Sequence, residues 1–421
     1  MSVLDEASLV QIPSGYKISK LYSVVPTSGA GDLSFARSTT ATRVNESGVI
    51  ETVAINVPRI DYTGGGCGQL LLEPQRTNLY TYSDDFTNAT WSKHNTLASS
   101  SAVNSPIDGG TADFIVATAV SDRHWIQQSI SASASTDYSF SFYVKSGGSD
   151  FIQVALSTGF AGTYQNFNVS TGTKGSGNLG ASGYSSTIEA FGDDGYYKIV
   201  LYTTTSVGAS SANVYIDPIL TDAGRLSTYL GDGVNGVYCS AIQLEQGSYP
   251  TSYIPTSGTS VTRTADASST SGLSSVIGSE EGLILLDAQA FINGGSNRYF
   301  TIGDGTYQNY ISMFYHNSVN RLDTIAVKAG SVLTLKNIFS FTQSDRNIIA
   351  IRYKTDSYDL WVNGASQGIV TGMGAFFAAN LLTNVQLTNT IGNNPMEGDV
   401  NVMLLMKTYP TDTQMADLTT L

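Results

Sequence analysis

Apolar and polar residues alternate along most of this chain. In Tyr138-Ser-Phe-Ser-Phe-Tyr-Val144, the residues Tyr138, Phe140, Phe142 and Val144 fall on one side of an extended strand. Asn213-Val-Tyr-Ile-Asp217, Ile348-Ile-Ala-Ile-Arg-Tyr353 and Asp399-Val-Asn-Val-Met-Leu-Leu405 follow the same period of two. Helical spacing is almost absent. Short β-branched and aromatic runs, divided by Gly, Asn, Asp and Ser, predict antiparallel β-sandwiches. Asp194-Gly195, Asp232-Gly233, Asn235-Gly236, Asp304-Gly305 and Asn363-Gly364 are hairpin signals, several of them flanked as a type I′ turn is. One segment departs from the pattern. Thr411 and Gln414 are spaced as a capping box, and Met415, Leu418 and Leu421 follow as one stripe, which predicts a short C-terminal helix.

The density of strand signals divides the chain. Residues 1–80 hold many turn residues and few strong strands, and suit a docking region. Residues 81–255 are a dense strand series closed by Pro250 and Pro255. Residues 256–280, with Ser268-Ser-Thr-Ser-Gly-Leu-Ser-Ser275, read as a linker. Residues 281–421 form a second strand-rich block. The fold class is therefore all-β: a docking region, two antiparallel β-sandwich (jelly-roll) domains and a terminal helix. No short repeat period supports a β-helix or propeller.

Composition narrows the function. Only 13% of the 421 residues are charged, and the net charge is −13. A protein that neutralises phosphates needs the opposite sign, so nucleic acid and anionic membrane surfaces are disfavoured as partners. No apolar run reaches the roughly 20 residues of a membrane span, and the N-terminus lacks the pattern of a secretory signal. Cys67 and Cys239 give neither a disulfide framework nor a zinc site. One bridge between them stays open; two buried thiols are the favoured reading. Synthesis in a cytoplasm with the composition of an extracellular surface protein is a combination that phage structural proteins show.

Several longer motifs point the same way. Asp32-Leu-Ser-Phe-Ala-Arg-Ser-Thr-Thr-Ala-Thr-Arg-Val-Asn45, Asn56-Val-Pro-Arg-Ile-Asp-Tyr62, Leu71-Leu-Glu-Pro-Gln-Arg-Thr-Asn-Leu79, Ile242-Gln-Leu-Glu-Gln-Gly-Ser-Tyr-Pro-Thr-Ser-Tyr-Ile-Pro-Thr256 and Val261-Thr-Arg-Thr-Ala-Asp266 resemble a recurring block of bacteriophage virion appendage proteins, the tail and head fibres. Residues 81–255 also resemble a carbohydrate-binding-module jelly roll. Residues 281–421 are similar to concanavalin-like or laminin-G-like sandwiches, through Asn347-Ile-Ile-Ala-Ile-Arg-Tyr353, Tyr358-Asp-Leu-Trp-Val-Asn-Gly364 and the closing Tyr409–Leu418 stretch. The resemblance implies a virion location, partners among other virion proteins through residues 1–80, and a homo-oligomer, with a trimer favoured. Within the motif block, Pro74 holds Glu73 extended, so that Glu73, Arg76 and Asn78 can pin a crossing strand as a structural corner.

Candidate chemistry is sparse. His94, His124 and His316 are not at metal-ligand spacing with one another. Asp122-Arg-His-Trp125 is the strongest sugar-binding candidate: the indole of Trp125 would meet C–H faces while Arg123 and His124 hold hydroxyls. The competing reading is a strand packed into the core, which is also the expectation for Trp91 and Trp361. Tyr299, Tyr307, Tyr310 and Tyr315 surround Asp304-Gly305 and Asn309, and Tyr307, Asn309 and Tyr310 are the second candidate set. No catalytic residue, metal ligand or cofactor is assigned. Asp193-Asp194 reads as a turn rather than a paired-carboxylate site, although it or Asn393-Asn394 could hold a loop calcium. The expectation is a non-enzymatic virion appendage that attaches to host-surface polysaccharide by multivalent binding. A capsid decoration or adaptor without ligand, and a polysaccharide depolymerase, are the alternatives.

Overall fold

The computed structural model describes residues 3–13 and 15–420. The chain is built almost wholly of antiparallel sheets and closes with one short helix. It divides into two compact units that are interleaved along the sequence: Met1–Thr40 with Val53–Gln75 and Thr264–Leu421, and Ala41–Thr52 with Arg76–Arg263.

In the first unit, described residues form an eight-stranded and a nine-stranded sheet. The eight-stranded sheet runs from Ala365–Thr371 through Ser357–Val362, Asn347–Lys354, Gly282–Ala290, Gly398–Met406 and Gln69–Leu72 to Arg59–Asp61, with Ala7–Gln11 also paired to Gly398–Met406. The nine-stranded sheet includes Leu33–Ala36, Ala267–Thr270, Asn384–Gln386, Arg298–Gly303, Tyr310–Tyr315, Arg321–Lys328 and the edge strand Ser331–Phe339. Alternation sends Ile284, Leu286, Ile349 and Ile351 from one sheet to meet Phe300, Ile302, Ile311 and Met313 from the other. The opposite phase of the eight-stranded sheet is also apolar. Leu283, Leu285, Ile348, Trp361 and Leu404 lie there, and the helix Asp412–Thr419 covers them through Met415. Thr411 caps that helix as the sequence predicts: its hydroxyl accepts from the Gln414 N–H at 3.3 Å while Gln414 Oε1 accepts from the Thr411 N–H at 2.9 Å. Asn363-Gly364 forms the two-residue hairpin between Ser357–Val362 and Ala365–Thr371, both residues with positive φ.

In the second unit, described residues form two six-stranded sheets that enclose Phe140, Phe142, Val144, Ile126, Ile152, Val154 and Ile216. Trp91 is buried in this core, and its indole N–H donates to the Tyr82 carbonyl at 2.9 Å.

The structure departs from the sequence reading in its boundaries. Residues 1–80 do not form a separate region, because their short strands complete the sandwiches. Leu9, Leu33, Phe35, Leu70 and Leu72 belong to the same core as Ile284 and Phe300. Residues 256–280 are not a linker either. Val261–Arg263 pairs with Arg76–Asn78, Ala267–Thr270 pairs with Leu33–Ala36, and Leu273, Val276 and Ile277 are buried. The Ser/Thr-rich composition does not mark a chain without a core: Thr256, Ser268 and Ser279 are themselves buried.

The longer motifs quoted above converge on buried polar staples. In the first unit, Arg37 Nη1 binds Asp266 Oδ1 at 3.0 Å, and Arg59 binds Glu73 Oε2 at 2.6 Å and also Asp266. Asp266 Oδ2 further accepts the Glu73 N–H at 2.8 Å. Burial opposes the charge on Arg59, but Asp266 and Glu73 outweigh it and hold the guanidinium above its ordinary value. In the second unit, Asn78 donates to the carbonyls of Ile242 and Ile254 at 3.1 and 2.9 Å, and Arg76 lies 5.1 Å from the Tyr249 ring. Glu73 is thus held by Arg59 in the first unit, and Asn78 is anchored on two backbone carbonyls in the second. Cys67 and Cys239 are unbridged. Cys239 is buried, but Cys67 is exposed among glycines, against the expectation of two buried thiols.

Candidate functional site

In Trp125–Ser131, Ile126 and Ile130 enter the core of the second unit, so Trp125, Gln127 and Ser129 take the outward phase. Register places His94 opposite Trp125, and Tyr215 opposite Gln127. Trp125 stacks on His94 with centroids 5.3 Å apart and planes 13° apart, and meets Tyr215 edge-on at 5.3 Å and 73°. The indole is half-buried in an outward aromatic cluster, which is neither the sandwich core nor a fully bare platform. Arg123 is exposed beside it. Asp122 accepts the Arg123 N–H at 2.8 Å and Asn95 Nδ2 at 3.1 Å, and lies 3.5 Å from His94 Nε2. The Arg123 N–H, then His94 and Asn95, hold this carboxyl below the usual range against a small cost of burial.

Beyond the aromatic cluster, residues 218–230 cover the same face. Gln153, Asn166 and Asp217 are buried beneath them although all three belong to the outward phase. Gln153 donates to Asn166 Oδ1 at 2.8 Å and accepts the Leu226 N–H at 2.6 Å. Asn166 donates to Asp222 at 2.7 Å and to the Ala223 carbonyl at 2.6 Å. Arg225 reaches from this loop to the Leu156 carbonyl at 2.6 Å. Burial lowers its guanidinium, Tyr215 opposes that shift, and the nearby Arg123 adds to it. Tyr229 donates to Asp217 Oδ1 at 3.1 Å. Burial raises the Asp217 carboxyl well above its ordinary range, with the Tyr229 bond opposing.

The structure separates His124 from Trp125. His124 is 0% exposed. Its Nδ1 lies 2.5 Å from the Asn95 carbonyl, and its Nε2 lies 3.1 and 3.3 Å from the carbonyls of Val120 and Tyr229. It fastens the connection between Ser121–Asp122 and Trp125–Ser131 and cannot touch a sugar, because it is fully buried with both ring nitrogens against backbone carbonyls. Asn309 is likewise spent on backbone and side-chain partners: its amide donates to Asp304 of its own hairpin at 2.8 Å, and its oxygen accepts the N–H of Ala329 in the neighbouring turn at 3.0 Å. Tyr307 is exposed at the tip of that hairpin, and Tyr310 is half-buried on the outward phase of the nine-stranded sheet. Tyr315 belongs to the core and donates to the Ala288 carbonyl at 3.0 Å.

Sequence reasoning missed Tyr215 and His94. Tyr215 was within reach, because Val214 and Ile216 fix the core phase and leave Tyr215 opposite. Arg225 gives no local signal. Among the described residues, no group of three or more His, Cys, Asp or Glu is placed to hold a metal. Asp193 and Asp194 are exposed in the turn between Ser185–Phe191 and Tyr196–Thr204, and Asn393 and Asn394 are exposed in another turn.

No family model and no curated protein sequence matches the chain. Among solved structures, it is similar to the CBM40 carbohydrate-binding module of a Ruminococcus gnavus IT-sialidase bound to α2,3-sialyllactose, at 16% identity and TM-score 0.31, over 35% of this chain and 91% of that one. It is also similar to sheep galectin-11 in complex with glycerol, at 11% identity and TM-score 0.21, over 30% and 88% of the two chains. Domains LG4-5 of the mouse laminin α1 chain match at 10% identity and TM-score 0.17, over 69% and 81%.

Proposed function

We propose that this chain is a glycan-binding attachment protein of a phage particle. Its second unit would hold surface polysaccharide on the outward face that carries Trp125. The observation behind this reading is the gathering of Trp125, Tyr215 and His94 on the solvent side of a sheet, with Arg123 and Asp122 at the rim. Solvent faces of sheets are ordinarily polar, and an aromatic cluster beside charged donors and acceptors suits a ring with an apolar face and a hydroxyl edge. The particle assignment is supported by the fibre-like motifs alone. Each site would be weak, and copies held on one particle would gain avidity. The test is titration of purified host-surface polysaccharide into the full chain. Trp125→Ala should weaken binding at least tenfold while leaving cooperative melting intact. Unchanged affinity would overturn the site, and release of new reducing ends would overturn the non-enzymatic reading.

A further inference from the structure

The nine-stranded sheet of the first unit has an outward face that the reading above does not use. Phe300, Ile302, Ile311, Met313 and Leu322 fix the inward phase, so the alternate positions point to solvent. Register sets Tyr299 beside Phe314, Phe314 beside Asp323, and Asp323 beside Asn337, one row across four strands. At about 4.8 Å per strand this row spans about 14 Å. Tyr299 and Phe314 stack with centroids 4.4 Å apart and planes 19° apart. The next row holds Thr301, Ser312, Ile325 and Leu335, and Tyr310 stands beyond it. Thr301 and Ser312 bond to each other at 2.7 Å and are buried although they point outward, so the aromatic side chains around them form the solvent surface. The face ends on the edge strand at Leu335 and Phe339, which are 53% and 66% exposed. A contiguous apolar and aromatic area of this kind, rimmed by polar groups, marks a binding surface.

We infer that this face is a second glycan site, and that it takes a neutral polysaccharide chain laid across the strands. Charge selects the ligand class. Arg321 is held by Asp323 through two bonds of 2.8 and 2.7 Å and lies 5.4 Å from the Phe339 ring. Lys328 donates to the Ala375 carbonyl at 2.8 Å, and Lys336, on the inward phase, to that of Gly368. The cations near the face are thus already matched or turned aside, and an acidic polymer would meet a chain of net charge −13. The length of the row suits an oligosaccharide rather than one sugar. Amide and hydroxyl groups at Asn337 and Tyr310 supply the polar contacts. The inference rests on the chain being a glycan binder but not on Trp125.

The test is affinity electrophoresis of the full chain in gels containing dextran, laminarin or hydroxyethylcellulose as neutral polymers, and alginate or hyaluronan as acidic ones. At least one neutral polymer should retard the protein. Phe314→Ala and Phe339→Ala should each weaken that retardation at least tenfold. Phe339 is mostly exposed, so its truncation keeps the test valid if Phe314→Ala fails to fold. The inference is overturned if no neutral polymer retards the chain. It is equally overturned if the two substitutions leave the retardation intact, or if they abolish retardation by an acidic polymer instead. Loss confined to Trp125→Ala would support the other unit's site and sink this one.

Discussion

The carboxyl of Asp399 shows how one residue registers the crowding around the motif staples. It stands opposite Leu71 in the pairing of Gly398–Met406 with Gln69–Leu72. Burial pushes it up to about 7, Asp61 and Glu73 add to the rise, and Arg59 opposes it. The unfolded carboxyl ionises near its ordinary value of 3.8. Between about pH 4 and 7 the folded chain therefore keeps a proton that the unfolded chain has lost, and this group's contribution to stability falls as pH rises through that window. Asp399→Asn should stabilise the protein relative to the parent at pH 8, by roughly 1–3 kcal/mol once solvent screening at this half-buried position is allowed for, and by little at pH 4. Melting temperatures of both proteins at the two pH values check this; an equal difference at both would refute it. None of this crowding was legible in the sequence. Arg59, Glu73, Asp266 and Asp399 are separated by up to hundreds of positions, and no local signal joins them. His124 shows the reverse error: nearness in sequence to Trp125 suggested a shared site, but His124 is buried in the connection before the strand, against the carbonyls of Asn95, Val120 and Tyr229.

At the scale of single elements, local chemistry was readable where it was self-contained. The capping box of Asp412–Thr419 lies within four residues, and the Asn363-Gly364 turn within two. Which sheet a strand joins depends on distant partners, so Leu33–Ala36 and Ala267–Thr270 gave no sign of pairing with each other. The helix also separates local from tertiary stabilisation. Its cap satisfies backbone N–H groups near solvent, whereas Met415 is 0% exposed against Leu283, Leu285 and Trp361. Thr411→Ala should cost about 1 kcal/mol and Met415→Ala about 2–5 kcal/mol, read from urea midpoints at constant slope. Equal losses, or a larger one at Thr411, would show that the helix is held by its own turn rather than by the sheet it covers.

For the molecule as a whole, alternation announced the all-β class, because burial on one face of a sheet imposes the period of two whatever the topology. The division of the chain was not announced, because each unit draws its strands from separated stretches. In sequence, residues 281–421 are a strand-rich block of their own with a closing helix. The structure assigns them otherwise. Their eight-stranded sheet is completed by Ala7–Gln11, Arg59–Asp61 and Gln69–Leu72, and their nine-stranded sheet by Leu33–Ala36 and Ala267–Thr270. Removing residues 1–280 would take Leu9, Phe35, Leu70, Leu72 and Leu273 out of one continuous core and bare the edges of Gly398–Met406 and Asn384–Gln386. Each lost core side chain of that size is worth about 2–5 kcal/mol, against a total stability of about 5–15 kcal/mol for a domain. Newly opened edges also template association between chains. A fragment of residues 281–421 should therefore aggregate or melt without a cooperative transition, while the full chain melts cooperatively. Calorimetry and sedimentation of both proteins decide the matter. A soluble, monomeric fragment with a sharp transition would mean that the N-terminal strands only decorate a sandwich that is already complete.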